Sequence, residues 1–146
     1  MLKIKKINIC IFSYYFYPDI SAGALRSKEL IKYLLKVNNK KNEIYKIILI
    51  SSIPNRFNKL RGNKFKNVNI FKDKNIKIIR LWVPFANKSK IHELISYFFF
   101  FLQAIPTAIY FKPQIIWATS AKSLTLYLAS IVKKFTKSDL YLDIRD

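Results

Sequence analysis

Short apolar runs rich in β-branched residues alternate along this chain with longer stretches of helical periodicity. The first run, residues 4–13, is dense in isoleucine, which is typical of a central parallel strand buried on both faces. In residues 23–37, Leu30, Leu34 and Val37 share one stripe and lysines lie opposite them, which predicts an amphipathic helix. The alternation indicates an α/β protein.

The same periodicity continues through the rest of the chain. Ser89 and Ser120 are predicted N-caps of two later helices, and residues 52–69 are predicted to form a long surface loop. The pattern predicts one Rossmann-like domain over residues 1–146, a doubly wound, mainly parallel sheet with helices on both faces. Further strands are predicted at residues 43–51, 68–72, 76–83, 113–118 and 140–144, and the later helices at 90–111 and 120–135.

The chain is strongly basic. Its 146 residues include 27 Lys or Arg against 8 Asp or Glu, a formal charge of +19. This sign of charge suits nucleic acid or an anionic membrane. However, residues with A/T-rich codons dominate the composition, the lysines are scattered, and no RNP, KH or helix-turn-helix pattern is present. We therefore expect no nucleic-acid partner, and interpret the charge as mainly compositional and compatible with an anionic membrane surface.

Residue types that build metal and nucleophilic sites are scarce. The single cysteine, Cys10, lies in an apolar run and is predicted to be a buried, inert thiol. The single histidine, His92, cannot form a multi-histidine cluster, and no metal site is expected. The N-terminus lacks the long apolar region and small-residue cleavage site of a signal peptide, which predicts a cytoplasmic location.

Residues 94–111 contain no charged side chain and are long enough to be considered as a membrane span. Ser96, Gln103, Pro106 and Thr107 interrupt the segment, and a span here would divide the sheet between the two sides of a bilayer. We therefore predict a helix that covers the sheet. Its phenylalanine run, residues 98–101, is a candidate contact with a membrane interface.

Ligands of an open parallel sheet bind at the carboxyl ends of the strands. The first such loop, residues 13–26, lacks the glycine patterns of dinucleotide sites and of P-loops. Backbone N–H groups of Ala22 and Gly23, at the predicted helix start, can meet a phosphate, and Arg26 can add positive charge. The alternative is that Gly23 only permits a tight turn.

Three further strand ends carry polar side chains. His92 is a candidate general base, or else a surface residue in the first turn of a helix. Thr119 and Ser120 can hold polar ligand groups, although capping alone explains Ser120. The fourth segment is Asp143-Ile144-Arg145-Asp146, at the end of the last strand. Charged residues at this ligand edge would cost stability if they were buried without a purpose. Because the chain stops at this edge, we expect it to be truncated.

Four motifs follow one another along the chain: YYFYPDISAGALRSKELIKYL at 14–34, SSIPN at 51–55, PQIIWATS at 113–120 and LDIRD at 142–146. As a set they resemble the N-terminal domain of family-4-like retaining glycosyltransferases. The nearest resemblance is to bacterial surface-polysaccharide enzymes that transfer amino sugars such as N-acetylfucosamine. Two positions depart from the family pattern, which usually has two glycines at Ala22-Gly23 and often histidine at Arg145.

The resemblance implies half of a GT-B fold, in which this chain is the acceptor-side domain and the C-terminal donor-binding domain is absent. It implies a loop near the donor phosphates, catalytic residues at the end of the last strand, and a polar acceptor pocket, without a metal or other cofactor. The residues that match these roles are Ala22, Gly23 and Arg26 for the phosphates, Arg145 and Asp146 for catalysis, and Asp19, Thr119, Ser120 and His92 for the pocket.

The function implied by the resemblance is transfer of a sugar from a nucleotide-diphospho-sugar donor to a lipid-linked glycan acceptor. The expected location is peripheral, at the inner face of the cell membrane, and the chain by itself is expected to be inactive. The alternative function is a basic membrane-surface binding module without catalysis, which rests on the +19 charge and on residues 98–101.

Overall fold

A computed structural model of the chain describes residues 5–38, 43–56, 71, 73–84, 89–119 and 123–144. Strands and helices alternate in these residues, as the sequence predicts. In chain order they are β1 (Lys5–Phe12), α1 (Ala22–Asn38), β2 (Glu43–Ser52), β3 (Ile76–Leu81), α2 (Lys90–Phe111), β4 (Ile115–Thr119), α3 (Ser123–Thr136) and β5 (Asp139–Asp143).

The five strands form one sheet in the order β3-β2-β1-β4-β5, and every pairing is parallel. Strand β1 is central, and the side chains of its second half, Ile9, Cys10, Ile11 and Phe12, are buried on both faces of the sheet. The predicted Rossmann-like, doubly wound fold class is confirmed. The chain leaves β1 towards β2 and β3 and then returns to β4 on its other side, which creates a topological switch point between β1 and β4.

Two apolar clusters cover the two faces of the sheet. On one face, α1 packs Ile31 against alternate strand residues such as Ile9, Ile11 and Leu49. On the other face, α2 and α3 pack against the intervening strand residues, including Cys10. The period of two in the strands and the apolar stripes of the helices produce this arrangement directly. The predicted burial of Cys10 is confirmed, and burial raises the pKa of its thiol well above the ordinary value.

Helix α2 has the predicted bounds. Ser89 is its N-cap, with an extended backbone and a side-chain oxygen that accepts from the His92 N–H. Lys112 ends the helix in the left-handed conformation, at φ 45°. The helix is long and apolar enough to cross a membrane by length and composition, yet one of its faces packs against the sheet through buried residues such as Phe100.

Other predicted bounds differ from the observed ones by one to three residues. Strand β4 begins at Ile115 rather than at residue 113, because Pro113 has no N–H to donate to a neighbouring strand. Helix α3 begins at Ser123, and the predicted N-cap Ser120 lies outside the described residues. The strand predicted at 68–72 also lies outside them, apart from Phe71, which is buried but has no strand conformation.

Candidate functional site

The candidate site lies at the switch point, where the carboxyl ends of β1 and β4 are adjacent. Such a crevice is open because the helices that follow its two strands turn away to opposite faces of the sheet. Here α1 follows β1 on one face and α3 follows β4 on the other. Three segments supply the crevice: the loop from β1 to α1, the end of β4 at Thr119 and the end of β5 at Asp143.

The loop after β1 delivers the start of α1 to this crevice. Ser21 Oγ accepts from the Ala24 N–H at 3.0 Å, which satisfies one donor of the first helical turn. Ala22 and Gly23 are the first two helical residues, and N–H groups at such positions have no partner within their own helix. Gly23 is buried, and its carbonyl accepts from the Ser27 hydroxyl at 2.9 Å. The small residues therefore allow close packing at a helix start that favours an anion.

Arg26 lies one turn into α1 and meets side chains from two other elements. Its Nε is 2.9 Å from Asp143 Oδ2, an ion pair between α1 and the end of β5. Its Nη2 is 3.4 Å from Thr119 Oγ1, which is itself 3.4 Å from Asp143 Oδ2. Arg26 and Thr119, both predicted from the sequence as site residues, are thus brought together.

The guanidinium of Arg26 keeps donors available for a ligand. It has five N–H groups, and among the described residues it makes the ion pair with Asp143 through Nε and the contact with Thr119 through Nη2. The Arg26 and Asp143 side chains are 28% and 17% exposed, so solvent and small ligands can reach the pair. A phosphate at the start of α1 would find a cation already held in a fixed position.

Asp19 is buried and fastens the loop after β1 to the loop after β2. Its Oδ2 accepts from the backbone N–H of Asn55 at 3.0 Å and from that of Arg56 at 3.3 Å. Burial raises the pKa of the carboxyl, and the two hydrogen bonds and the charges of Arg56 and Arg80 act in the opposite direction. The structure therefore places Asp19 beneath the surface of the loop, where it sets the loop's position.

Arg80, at the end of β3, is a second buried charge near this carboxyl. Its Nη2 donates to the Tyr17 carbonyl, and its guanidinium carbon lies 5.9 Å from the centre of the Phe16 ring. Burial lowers its pKa, and the charge of Asp19 partly offsets that effect. Asp19 and Arg80 each hold the segment from Phe16 to Asp19, so the approach to α1 has two charged supports.

Aromatic packing supports the same loop from the other side. Tyr14 is buried, its ring stacks on Tyr97 of α2 with centroids 4.2 Å apart, and its hydroxyl accepts from Asn55 Nδ2 at 2.9 Å. Burial raises the pKa of Tyr14 above its ordinary value, so the hydroxyl stays neutral. Tyr14 of the YYFYPD motif therefore serves chiefly as a rigid base for the switch-point crevice.

The remaining predicted site residues are not joined to the Arg26 pair by the described contacts. His92 lies in the first turn of α2, after β3, with its Nδ1 2.9 Å from Ser89 Oγ. Ser120, Arg145 and Asp146 lie outside the described residues, so their roles stay predictions. Among the residues that the structure describes, no three His, Cys, Asp or Glu side chains group in a way that could hold a metal ion.

A separate hollow lies at the opposite edge of the sheet, at the amino ends of β4 and β5. It has a volume of about 580 Å³ and is bounded by the ends of α2 and α3 and the start of β5, with Lys112, Gln114 and Lys137 among its lining residues. Ligands of parallel sheets bind at the carboxyl ends of the strands. We therefore place the candidate site at the switch point, where the charged groups converge, rather than in this hollow.

No protein-family model matches the sequence, and no curated protein matches it significantly. Arguments about function therefore rest on the motifs and on the geometry of the switch point. Sequence reasoning missed Asp143 as the partner of Arg26, and it missed the buried supports Asn55 and Arg80. The charged residue at the end of the last strand was the only signal for Asp143.

Proposed function

We propose that this chain is the acceptor-side domain of a glycosyltransferase. Its donor is a nucleotide-diphospho-sugar, and its acceptor is a lipid-linked glycan at the inner face of the cell membrane. The start of α1, with Gly23 and Arg26, faces the donor diphosphate, whose negative charge grows as the bond to the sugar breaks. No metal or other cofactor takes part in this proposal.

One observation carries the proposal more than any other. The loop that contains the YYFYPDISAGALR motif lies at the switch point of a parallel sheet, with Arg26 held 2.9 Å from Asp143 beside the helix start. A helix N-terminus favours phosphate, and a positioned guanidinium adds charge-assisted hydrogen bonds. The motif resemblance supplies the reaction class, and the fold and the charges are consistent with it.

In the proposed enzyme, the donor site lies between two domains. The crevice described here has one wall, formed by the edge of this sheet, and the proposed donor-binding domain forms the other. We expect the 146-residue chain on its own to bind a diphosphate weakly and to transfer no sugar. Sugar transfer by the purified chain would contradict the assignment of the donor contacts to a second domain.

Calorimetric titration tests the donor part of the proposal. UDP, GDP and UDP-N-acetylglucosamine serve as probes, and UMP serves as the comparison without a β-phosphate. Arg26→Gln should weaken diphosphate binding by about 10- to 100-fold, the usual contribution of a charged hydrogen bond. The matched control is Lys36→Gln, which makes the same charge change in the last turn of α1 and should bind as the wild type does. Equal affinities of the two variants would refute the proposal.

A second candidate function is a membrane-surface binding module without catalysis. The observation that favours it is the outer face of α2, which exposes large apolar side chains. It is compatible with the first proposal, because a lipid-linked acceptor requires access to a membrane. The two differ in the result of the diphosphate titration, which only the first predicts to be positive.

A further inference from the structure

Helix α2 is apolar on its outer face as well as on its buried face. Six large apolar side chains between Ile91 and Leu102 are exposed, from 37% for Phe99 to 70% for Ile91. They recur at intervals of three and four residues and so form one stripe along the helix. We call this stripe the α2 outer face; its members are Ile91, Leu94, Ile95, Phe98, Phe99 and Leu102.

Trp82, just after β3, extends this surface. The side chain is 50% exposed, and its ring meets the Phe99 ring edge-on with centroids 5.7 Å apart. Phe98 and Phe99 make a similar edge-on contact at 5.9 Å. Gln103 Nε2 donates to the Trp82 carbonyl at 2.8 Å, which ties this segment to the helix. An exposed patch of tryptophan, phenylalanine and aliphatic side chains of this kind marks an interaction surface.

The charges of the chain indicate which partner covers the α2 outer face. No charged residue occurs between Glu93 and Lys112, while the whole chain carries +19. A second copy would bring the same large positive charge to the surface, and such self-repulsion opposes association. An anionic bilayer offers an apolar interior for the stripe and negative headgroups for a chain whose net charge is +19. The indole ring of Trp82 also favours the interface between headgroups and acyl chains.

We propose that the α2 outer face, together with Trp82, docks onto the surface of an anionic lipid bilayer. The helix lies parallel to the membrane plane, because its other face packs against the sheet through Tyr97, Phe100, Ala104 and Ala108. A transmembrane orientation would strip these residues from the core. The sequence predicted a membrane contact through residues 98–101. Phe100 is fully buried and Phe101 is partly buried, so these two residues do not belong to the docking surface.

The docking surface lies at the functional end of the sheet. Helix α2 begins after the carboxyl end of β3, so its N-terminal half is near the same edge as the switch point. Docking would therefore hold the crevice close to the headgroups, within reach of a lipid-linked acceptor. The docking itself does not depend on the proposed glycosyl transfer, because none of its residues contributes to the Arg26 pair.

Co-sedimentation with vesicles tests the docking. The probes are vesicles of phosphatidylglycerol and phosphatidylcholine in equal parts, and vesicles of phosphatidylcholine alone, at low and high salt. The chain should bind the anionic vesicles at low salt and bind less at high salt. Phe98→Gln combined with Leu102→Gln should lower the partition coefficient by at least about tenfold, because two large apolar side chains leave the bilayer. Glutamine keeps the helix propensity high.

The matched control is Tyr33→Gln on α1, which lies on the opposite face of the sheet. The Tyr33 side chain is 65% exposed, close to the 60% of Phe98, so both substitutions replace an exposed aromatic side chain. This variant should bind vesicles as the wild type does. Equal binding by the wild type and the double variant, or no binding at low salt, would overturn the proposal. A self-association that the double variant abolishes would assign the α2 outer face to a second copy instead.

Trp82 provides an independent readout. Brominated lipids should quench the fluorescence of the wild-type chain, and quenching should disappear in Trp82→Phe, which leaves Trp117 as the only indole. Alkaline carbonate should release the bound chain, as it does a surface-docked protein. Retention after carbonate treatment, or quenching that persists in Trp82→Phe, would contradict docking through the α2 outer face. The diphosphate titration is unaffected by either outcome, so the two proposals fail separately.

Discussion

Replacing Asp19 with alanine should destabilise the fold substantially, although the residue is in a loop. Its carboxylate accepts two backbone hydrogen bonds from the loop after β2, at 3.0 Å from Asn55 and 3.3 Å from Arg56, and it is almost completely buried. It also offsets part of the cost of burying the charge of Arg80. Alanine removes all three interactions at once.

The magnitude follows from what each lost partner leaves behind. The Asn55 N–H is buried, and an unsatisfied buried donor costs about 1–3 kcal/mol. The Arg56 N–H is nearer to water and costs about 0.5–1 kcal/mol. With the added cost of an uncompensated Arg80, the free energy of unfolding should fall by about 2–4 kcal/mol. For a chain of this length that is a decrease in Tm of about 5–15 °C.

Urea denaturation followed by circular dichroism measures this change. Asp19→Asn is the control, because its amide oxygen can still accept from the two N–H groups without the cost of a buried charge, and it should lose about 1 kcal/mol or less. If Asp19→Ala lowers the free energy of unfolding by under about 0.5 kcal/mol, the carboxylate does not fasten the two loops as described.

Two further predictions concern the core and the titration of Asp19. Phe100→Ala should lower the free energy of unfolding by about 3–5 kcal/mol, because the side chain is fully buried. Phe98→Ala, on the exposed face of the same helix, should change it by about 0.5 kcal/mol or less. Equal losses in the two variants would contradict the described orientation of α2. The pKa of Asp19 is raised in the folded chain above 3.8, its value in the unfolded chain. Between these two pKa values the folded chain binds more protons than the unfolded chain, so the stability that protonated Asp19 contributes is lost as pH rises through this window. Denaturation across acidic to neutral pH should therefore show Asp19→Asn gaining stability relative to the wild type as pH rises and then levelling off, and a constant difference would contradict this sign.

The elements of the fold are predictable from the sequence because each depends on local periodicity. The isoleucine-rich run at β1, the lysine-backed stripe of α1 and the cap at Ser89 are all read from neighbouring residues. The parallel, doubly wound sheet follows from the alternation of these elements. Several bounds shifted by one to three residues, and the shift at β4 follows from Pro113, which has no N–H to donate.

The candidate site was only partly predictable, because its contacts are not local. Arg26 and Asp143 meet since β4 pairs with β1 and β5 pairs with β4, and this order of strands is not encoded in any short motif. A carboxylate such as Asp19 is common in ligand-binding loops, yet here its Oδ2 accepts a hydrogen bond from the backbone of the loop after β2. For α2 we predicted a cover for the sheet and a membrane contact at residues 98–101, but not which side chains are exposed, because residues 94–111 carry no charge to mark a solvent face.

The central claim is that a diphosphate binds at the start of α1 beside Arg26. Backbone amide spectra of the ¹⁵N-labelled chain, recorded during titration with UDP-N-acetylglucosamine, test it directly. We predict saturable shifts that are largest at Gly23, Ala24 and Thr119, absent in Arg26→Gln and retained in Lys36→Gln. Shifts confined to the hollow lined by Lys112 and Lys137, or no shifts at millimolar ligand, would contradict the claim.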